Sequence, residues 1–217
     1  MTAPVLRDRL QAAAEALGVA LDESDAARLL AYLDLLQRWN VTYNLTAVRD
    51  PEEMLTQHLV DCLAVMRPLE RQIPAGGRRI LDVGSGGGLP GIVIATLRPD
   101  DQVTCIDTVG KKAAFIRQAA MELRLPNLAV EHARVEQWRS VPFNLVTSRA
   151  FASLPDFVRL TDHHLAPDGL WMAMKGKRPE DEIAGLPPDV AMFHVEPLAV
   201  PGLAADRCLV WMRRQRS

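Results

Sequence analysis

The residues with the clearest chemical potential lie in one short stretch. It contains five glycines, namely Gly84, Gly86, Gly87, Gly88 and Gly91. Glycine adopts backbone conformations with positive φ and lets the main chain approach a ligand closely. The largely apolar segment 80–83 comes directly before this stretch and predicts a buried strand. Open α/β sheets bind ligands at the carboxyl ends of their strands, so the turn predicts a site for a nucleotide-like ligand.

Three ligand classes compete for this turn. A P-loop has the pattern GxxxxGK[ST], and Gly86 and Gly91 have its glycine spacing, but Ile92 and Val93 follow. This excludes a P-loop. Residues 86–91 satisfy GxGxxG, a weak motif that leaves a nicotinamide-dependent oxidoreductase as an alternative. Residues 81–88 also fit apolar-acidic-apolar-Gly-x-Gly-x-Gly, which is typical of methyltransferases. We favour the last pattern because little chain remains for the substrate domain of a dehydrogenase.

Asp107 is a second candidate for ligand binding. It ends the apolar run 103–106, which predicts another buried strand. An acidic residue at this position can accept hydrogen bonds from both ribose hydroxyls of an adenosine. Both nucleotide patterns predict it, so it supports a nucleoside ligand without separating them. The alternative is that its carboxylate only caps the next helix.

Other kinds of chemistry find little support in the residue pattern. Cys62, Cys105 and Cys208 are far apart and form no CxxC pair, so we expect neither a zinc site nor a disulfide framework. A reduced cytoplasmic location fits these thiols. No apolar run approaches the roughly 20 residues of a membrane span. The N-terminus lacks the apolar core of a secretory signal.

The histidines do not mark a metal site. His163 and His164 precede a Pro-Asp-Gly turn and are interpreted as residues at the end of a helix. His58 and Asp61 lie three residues apart and share one face of a predicted helix. They either pair with each other or line the ligand cleft, and the sequence leaves this open.

Charge is unevenly distributed along the chain, although the net charge is only −2. Residues 1–110 contain 10 basic and 15 acidic residues, whereas residues 111–178 contain 11 basic and 6 acidic residues. Such a basic block can attract phosphates. Solvated helix faces are the alternative explanation. The candidates for RNA contacts are Lys111, Lys112, Arg117 and Lys175.

The first third of the chain is predicted to be helical. Apolar residues recur at helical spacing at Ala26, Leu29, Leu30, Leu33 and Leu36. Asp22 is a candidate N-cap of this helix. Asp50 followed by Pro51 predicts a second helix start. That helix should run to about Met66 and end before Pro68.

The pattern changes at residues 74–77, Pro-Ala-Gly-Gly, which predict a boundary. Short apolar runs then alternate with helical stretches, as expected for a mostly parallel sheet covered by helices on both faces. The strands are predicted at 79–83, 103–107, 128–131, 145–148, 170–174, 193–198 and 208–212. The helices are predicted at 91–97, 112–123, near 135–138, and at 154–164. The last two strands should form an antiparallel pair at one edge.

We therefore expect two parts. Residues 1–74 form a helical N-terminal segment packed on the core, and residues 75–217 form a Rossmann-like domain. Seven strands with this ending are the layout of the class I S-adenosylmethionine-dependent methyltransferases.

Several motifs together resemble one protein family. They are WNVTYNLTA at 39–47, VRDPEEML at 48–55, His58-Leu59 with Asp61, Leu-Pro-Gly at 89–91, Ser-Arg-Ala-Phe at 148–151 and Lys175-Gly176. Their order and spacing are similar to the ribosomal RNA small subunit methyltransferase G family, also called GidB. The resemblance covers nearly the whole chain. One departure is Gly87, where the family often has Pro or Ala, and we expect it to loosen the turn.

The resemblance implies a reaction and a cofactor. A methyl group would pass from S-adenosylmethionine to N7 of a guanine in the decoding-region loop of bacterial 16S ribosomal RNA. The substrate would be the RNA within the small subunit or an assembly intermediate. Together with the glycine and ribose patterns, the family's contacts give this cofactor-binding set: Gly84, Gly86, Leu89, Asp107, Val135, Glu136 and Arg149.

No general base is expected for this reaction. Guanine N7 carries an in-plane lone pair and no proton, so alignment of the reacting atoms suffices. We therefore name no catalytic residue. A methyltransferase acting on a small molecule or a protein is an alternative, although it gives no reason for the basic block. A non-catalytic RNA-binding module is disfavoured by the glycine turn.

Arg149 has two interpretations. It follows the predicted strand at 145–148, so it should lie at the ligand-binding edge of the sheet. Its planar guanidinium could hold the cofactor or an RNA phosphate in a fixed orientation. The alternative is a structural ion pair with a nearby carboxylate such as Glu136.

Overall fold

The computed structural model describes residues 3–215, so Met1, Thr2, Arg216 and Ser217 of the two predicted parts lie outside the described residues. Seven strands form one sheet in the order β3-β2-β1-β4-β5-β7-β6. Six strands run in the same direction, and β7 runs in the opposite direction between β5 and β6. The strands are β1 Arg79–Val83, β2 Gln102–Asp107, β3 Leu128–His132, β4 Phe143–Arg149, β5 Leu165–Lys175, β6 Val190–Pro197 and β7 Cys208–Arg214. The predicted α/β class and the antiparallel edge pair are confirmed.

Four strands begin earlier than predicted, by one residue in β2, two in β4, three in β6 and five in β5. β5 starts at Leu165 and β6 at Val190. The register between β4 and β5 jumps from the pair Phe143–Leu165 to a pair that involves Leu170. The predicted Pro-Asp-Gly turn therefore exists as an irregularity inside β5 rather than as a loop before it. A Cβ on Gly169 would lie 2.9 Å from the Phe143 carbonyl oxygen, so the irregularity depends on a glycine there.

The helices are α1 Ala3–Ala16, α2 Glu23–Tyr43, α3 Pro51–Met54, α4 Asp61–Leu63, α5 Met66–Gln72, α6 Gly91–Leu97, α7 Gly110–Glu122, α8 Leu154–Thr161 and α9 Glu180–Ala184. Asp22 caps α2 by accepting a hydrogen bond from the Asp25 amide, and Asp50 caps α3 through the Glu52 and Glu53 amides. Both predicted N-caps are therefore confirmed. No helix between Ala3 and Gln215 combines the length and apolar character that a membrane span requires.

The second predicted helix is wrong in its interior and at its end. α3 continues into a π-helical turn, Leu55–Val60, and then into α4. After a turn at residues 64–65 the chain forms α5, which contains Pro68. Proline is tolerated there because amides in the first turn of a helix have no intrahelical partner. The expected stop before Pro68 therefore does not occur.

The short helix predicted near 135–138 is also wrong. The segment is a turn between β3 and β4. Residues 162–164 differ too, because α8 ends at Thr161 and a 3₁₀ turn, Asp162–His164, completes the predicted helix 154–164.

The sheet is covered on both faces, as expected for a parallel sheet with buried strands. Leu81 and Val83 of β1 point to one face and pack with Phe157 of α8. Ile80 points to the other face, where it joins one continuous cluster with residues of α1 and α2 such as Leu10 and Leu29. The helical N-terminal segment thus shares its core with the sheet. The division between residues 1–74 and 75–217 stays a prediction.

Helix α2 also contacts the glycine turn directly. The buried Tyr32 hydroxyl donates a 2.8 Å hydrogen bond to the carbonyl oxygen of Gly87. A Cβ placed on Gly87 would lie 3.1 Å from that hydroxyl oxygen. The glycine at this position therefore leaves room for a hydrogen bond that holds the turn, which is the opposite of the predicted loosening.

We expect Tyr32 and Gly87 to be energetically coupled. Tyr32→Phe should lower the free energy of unfolding by about 0.5–1.5 kcal/mol because one hydrogen bond is lost. Gly87→Ala should lower the free energy of unfolding more in the wild-type protein than in the Tyr32→Phe variant. In that variant the new methyl group has no hydroxyl to displace. Urea unfolding of the four proteins measures this coupling, and an additive cycle would contradict the contact.

Candidate active site

Two adjoining cavities open at the carboxyl ends of β1, β2 and β4. The larger has a volume of about 560 Å³ and the smaller about 230 Å³. Gly84, Lys112 and Ala150 line both cavities. This is the edge at which open α/β sheets bind ligands. The two cavities therefore form one continuous candidate cleft.

The glycine turn forms the floor of this cleft. Its first residue, Gly84, has φ +66°, and the Gly84 amide donates to the Ile106 carbonyl at 2.9 Å. A Cβ on Gly84 would lie 2.6 Å from the ring of Phe151. Gly86 also has positive φ, but a Cβ there would meet only the Gly84 carbonyl oxygen, at 3.9 Å. The turn thus leaves open space above Gly86 that a ligand could fill.

Asp82 supports the turn from beneath. Its side chain is fully buried, and its Oδ2 accepts a 2.9 Å hydrogen bond from the Gly91 amide at the start of α6. Burial raises the pKa of Asp82 to about 6, although the Gly91 hydrogen bond opposes this shift. The carboxyl group is therefore a structural link between β1 and α6 and does not reach the cleft.

Asp107 has both of its predicted roles available. It lines the smaller cavity. Its Oδ2 accepts from the Gly86 amide at 2.9 Å, and its Oδ1 accepts from the Val109 amide at 2.8 Å, just before α7. Each carboxylate oxygen can accept a further hydrogen bond. The residue thus shapes the turn and still offers acceptors to a ligand.

Val135 and Glu136 also line the smaller cavity, on the turn that replaces the predicted helix. His164 holds this turn at two points. Its Nε2 lies 2.9 Å from the Val135 carbonyl oxygen and its Nδ1 lies 3.1 Å from Ser140 Oγ. The ring is fully buried, and burial lowers the pKa of His164. Its place at a helix end agrees with the sequence interpretation, but its contacts to the turn were not predicted.

Arg149 lines the larger cavity and belongs to an ion cluster around the buried carboxylate of Asp61. Its guanidinium donates to the Gln57 carbonyl at 3.0 Å and lies 3.3 Å from Asp61 Oδ2. Arg207 donates to the other oxygen of Asp61, at 2.9 Å. The alternative partner suggested by the sequence, Glu136, instead pairs with Arg134. Arg207 was missed because no local motif marks it, in the loop between β6 and β7.

His58 and Asp61 both line the larger cavity. They do not pair with each other: Asp61 binds two arginines, and His58 Nε2 lies 3.0 Å from Thr46 Oγ1. Burial, helped by the positive charge of Arg149, lowers the pKa of His58 to about 4. The imidazole is therefore neutral at pH 7.

The four predicted RNA contacts lie in different places. Lys112 lines both cavities, and Lys175 lines the larger one. The Lys175 ammonium is already paired with Glu182, at 2.7 Å. Lys111 donates to the Tyr43 carbonyl, and Arg117 donates to the Val130 carbonyl; both are outside the cavities. The structure thus brings two of the four to the cleft. All seven predicted cofactor contacts line one cavity or the other.

Sequence comparison decides the family. The family model of the rRNA small subunit methyltransferase G matches residues 25–210. The chain belongs to this family. It is 62% identical over 207 residues to the ribosomal RNA small subunit methyltransferase G of Leptothrix cholodnii, which covers 95% of each chain. The same-named protein of Verminephrobacter eiseniae is 56% identical over 227 residues, covering 96% of this chain and 95% of the relative.

Solved structures agree on the fold of this methyltransferase G family member. TrmN from Thermus thermophilus superimposes with a TM-score of 0.58 at 21% identity, covering 74% of this chain and 53% of that one. The putative methyltransferase YhhF from Escherichia coli gives 0.56 at 16% identity, covering 72% and 87%. The Rossmann-like methyltransferase fold predicted from the strand pattern is thereby confirmed. Within residues 3–215, no three His, Cys, Asp or Glu side chains are grouped as metal ligands.

We expect His58 to make stability depend on pH. Its folded-state pKa of about 4 is below its ordinary value of 6.5, so the folded protein resists protonation. The stability that the folded protein gains by holding His58 neutral is fully present above pH 6.5. It is lost as the pH falls towards 4, by up to about 3 kcal/mol. Urea unfolding at pH 7 and pH 4.5 should therefore show a smaller loss of stability in His58→Gln than in wild type.

The opposing pH dependence of Asp82, whose pKa is raised, is present in both proteins and cancels in this comparison. Equal losses of stability in the two proteins would contradict the buried, neutral state of His58.

Proposed function

We propose that this methyltransferase transfers a methyl group from S-adenosylmethionine to N7 of a guanine in the decoding-region loop of 16S ribosomal RNA. It acts in the cytoplasm, on the RNA within the small subunit or an assembly intermediate. The observation that carries the proposal is the divided cleft of a methyltransferase G family member. Its smaller part offers acceptors and an apolar wall, and its larger part offers cations.

The smaller cavity has the features that an adenosine requires. Asp107 provides carboxylate oxygens for the ribose hydroxyls. Val135 and Glu136 form the turn beside which the adenine would lie, and the Phe151 ring offers an apolar wall. S-adenosylmethionine, when bound, supplies a methyl group on a positively charged sulfur.

The junction of the two cavities suits the methionine part of this cofactor. Gly84 and Gly86 let the main chain approach it, and the space above Gly86 would be filled by any side chain at that position. Leu89 and Arg149 line the larger cavity next to this space. The guanine would then enter the larger cavity, where it meets the cofactor at Gly84.

The residues of the larger cavity need not remove a proton. The N7 lone pair forms the new N–C bond while the methyl–sulfur bond breaks, and positive charge moves to the guanine. His58 is neutral and fixed by Thr46, so it offers no extra positive charge against that shift. The chain's contribution is to orient the base and exclude water, which is worth roughly 7–11 kcal/mol of barrier in well-aligned reactions.

The cations are assigned to the RNA backbone by position. Lys112 stands between the two cavities, and Lys175 stands at the wall of the larger one, where Glu182 already neutralises it in part. Lys111 and Arg117 lie outside the cleft on α7 and would contact phosphates farther along the strand. We expect Lys112 to contribute most of the four.

The activity is tested with RNA from a strain that lacks this enzyme. Tritium should pass from labelled S-adenosylmethionine to 16S RNA or to small subunits from that strain, and mass mapping should find the label on one guanine. Gly86→Val should abolish cofactor binding in calorimetry while the protein stays folded, because branched methyls occupy the open space. Transfer of label only to metabolites or proteins would refute the RNA substrate.

Arg149 variants test the ion cluster and the cleft together. Arg149→Ala should slow methyl transfer tenfold or more, with a stability loss of only about 1–2 kcal/mol, because Arg207 still neutralises Asp61. Arg149→Lys keeps the charge but loses the planar donor set, so it should restore stability more than activity. Arg159→Ala is a matched control, since Arg159 forms an exposed pair with Asp156. Wild-type rates in both Arg149 variants would remove Arg149 from the site.

A further inference from the structure

A partly exposed aromatic ring stands at the end of α2. Tyr43 is the last residue of the helix and is 41% exposed. Its ring lies on Trp39, with ring centroids 5.0 Å apart and planes at 34°. Trp39 is supported in turn by the buried Phe115 ring at 5.6 Å. The exposed ring is thus backed by the core and held in one place.

Two cations are attached to the same helix end. Lys111 Nζ donates to the Tyr43 carbonyl at 2.7 Å, and the Arg49 guanidinium donates to Asn44 Oδ1 at 3.3 Å. Both side chains are exposed. Across residues 3–215, neither forms an ion pair with a carboxylate. We call Tyr43, Arg49 and Lys111 the helix-end platform.

The helix-end platform is continuous with the cleft. Leu45 and Thr46, which follow α2 directly, line the larger cavity. Lys112, next to Lys111 on α7, lines both cavities. A nucleic acid strand whose target base enters the larger cavity would therefore pass the ring of Tyr43 within a few residues of the cleft wall.

We propose that the helix-end platform stacks an unpaired RNA base that flanks the target guanine, while Arg49 and Lys111 bind the adjoining phosphates. The inference rests on the proposed function and extends it from the target base to its neighbour. Unpaired bases stack on exposed aromatic rings, and such stacking tolerates different base identities. A base within a duplex has both faces covered, so the platform selects single-stranded RNA.

Tyr43 variants separate the ring from its hydroxyl. The acceptor is 16S RNA or the small subunit, whichever the wild-type enzyme methylates. Tyr43→Ala should raise KM for that acceptor roughly tenfold. Its kcat and its affinity for S-adenosylmethionine should stay unchanged. Tyr43→Phe keeps the ring and should behave like wild type. Val141→Ala is the control, because Val141 is 59% exposed but precedes β4, at the amino end of that strand and away from the cleft.

A binding experiment tests the platform without relying on methyl transfer. Fluorescence anisotropy should show tighter binding of a single-stranded 16S fragment than of a duplex of equal length, and Tyr43→Ala should remove most of that preference. Affinity falls with salt concentration, and Arg49→Ala and Lys111→Ala should each reduce the magnitude of the slope of log affinity against log salt by about 0.7.

The two proposals fail in different ways. If wild type methylates no ribosomal RNA, the proposed function fails, and the binding experiment still decides the platform. If a folded Tyr43→Ala protein keeps the wild-type KM, or if it binds single strands as wild type does, the platform is overturned. A Tyr43→Phe protein as weak as Tyr43→Ala would also overturn it, since the ring would then not be the contact.

Discussion

One buried carboxylate joins three distant parts of this chain. Asp61 follows the π-helical turn, and it binds Arg149 at the end of β4 and Arg207 in the loop between β6 and β7. A carboxylate that is 2% exposed is costly unless it is paired, and loss of both arginines would leave an uncompensated buried charge. The two arginines therefore tie the N-terminal segment to the carboxyl end of β4 and to the loop between β6 and β7, and all three residues line the larger cavity.

The glycine turn depends on a second set of contacts, which come from β1, from the end of β2 and from α2. Asp82 binds the start of α6, Asp107 binds the Gly86 amide, and the Tyr32 hydroxyl holds the Gly87 carbonyl. Each contact uses a backbone group of the turn, so the turn has a fixed shape before any ligand arrives. A preformed site spends less free energy on ordering when it binds.

Features that are local in sequence could be predicted, and features that need distant partners could not. The glycine turn and Asp107 follow from a strand and the residues beside it. Arg207 carries no such signal, because its partner Asp61 lies 146 residues earlier. The sequence predicts a helix near Val135, but the segment is a turn whose shape depends on His164, 29 residues away. Pro68 misled the prediction because a proline that would end one helix instead lies near the start of the next.

The shared core has a consequence for synthesis on the ribosome. Leu10 and Leu29 are completely buried in a cluster that also contains Leu145 and Leu209. The N-terminal helices leave the ribosome before the strands that complete this cluster, and Leu145 of β4 and Leu209 of β7 are made more than a hundred residues after Leu29. Until those strands emerge, the incomplete cluster exposes apolar surface that attracts chaperones or other nascent chains. Synthesis of β7, Cys208–Arg214, which pairs antiparallel with both β5 and β6, is therefore the event that lets the nascent protein close its core.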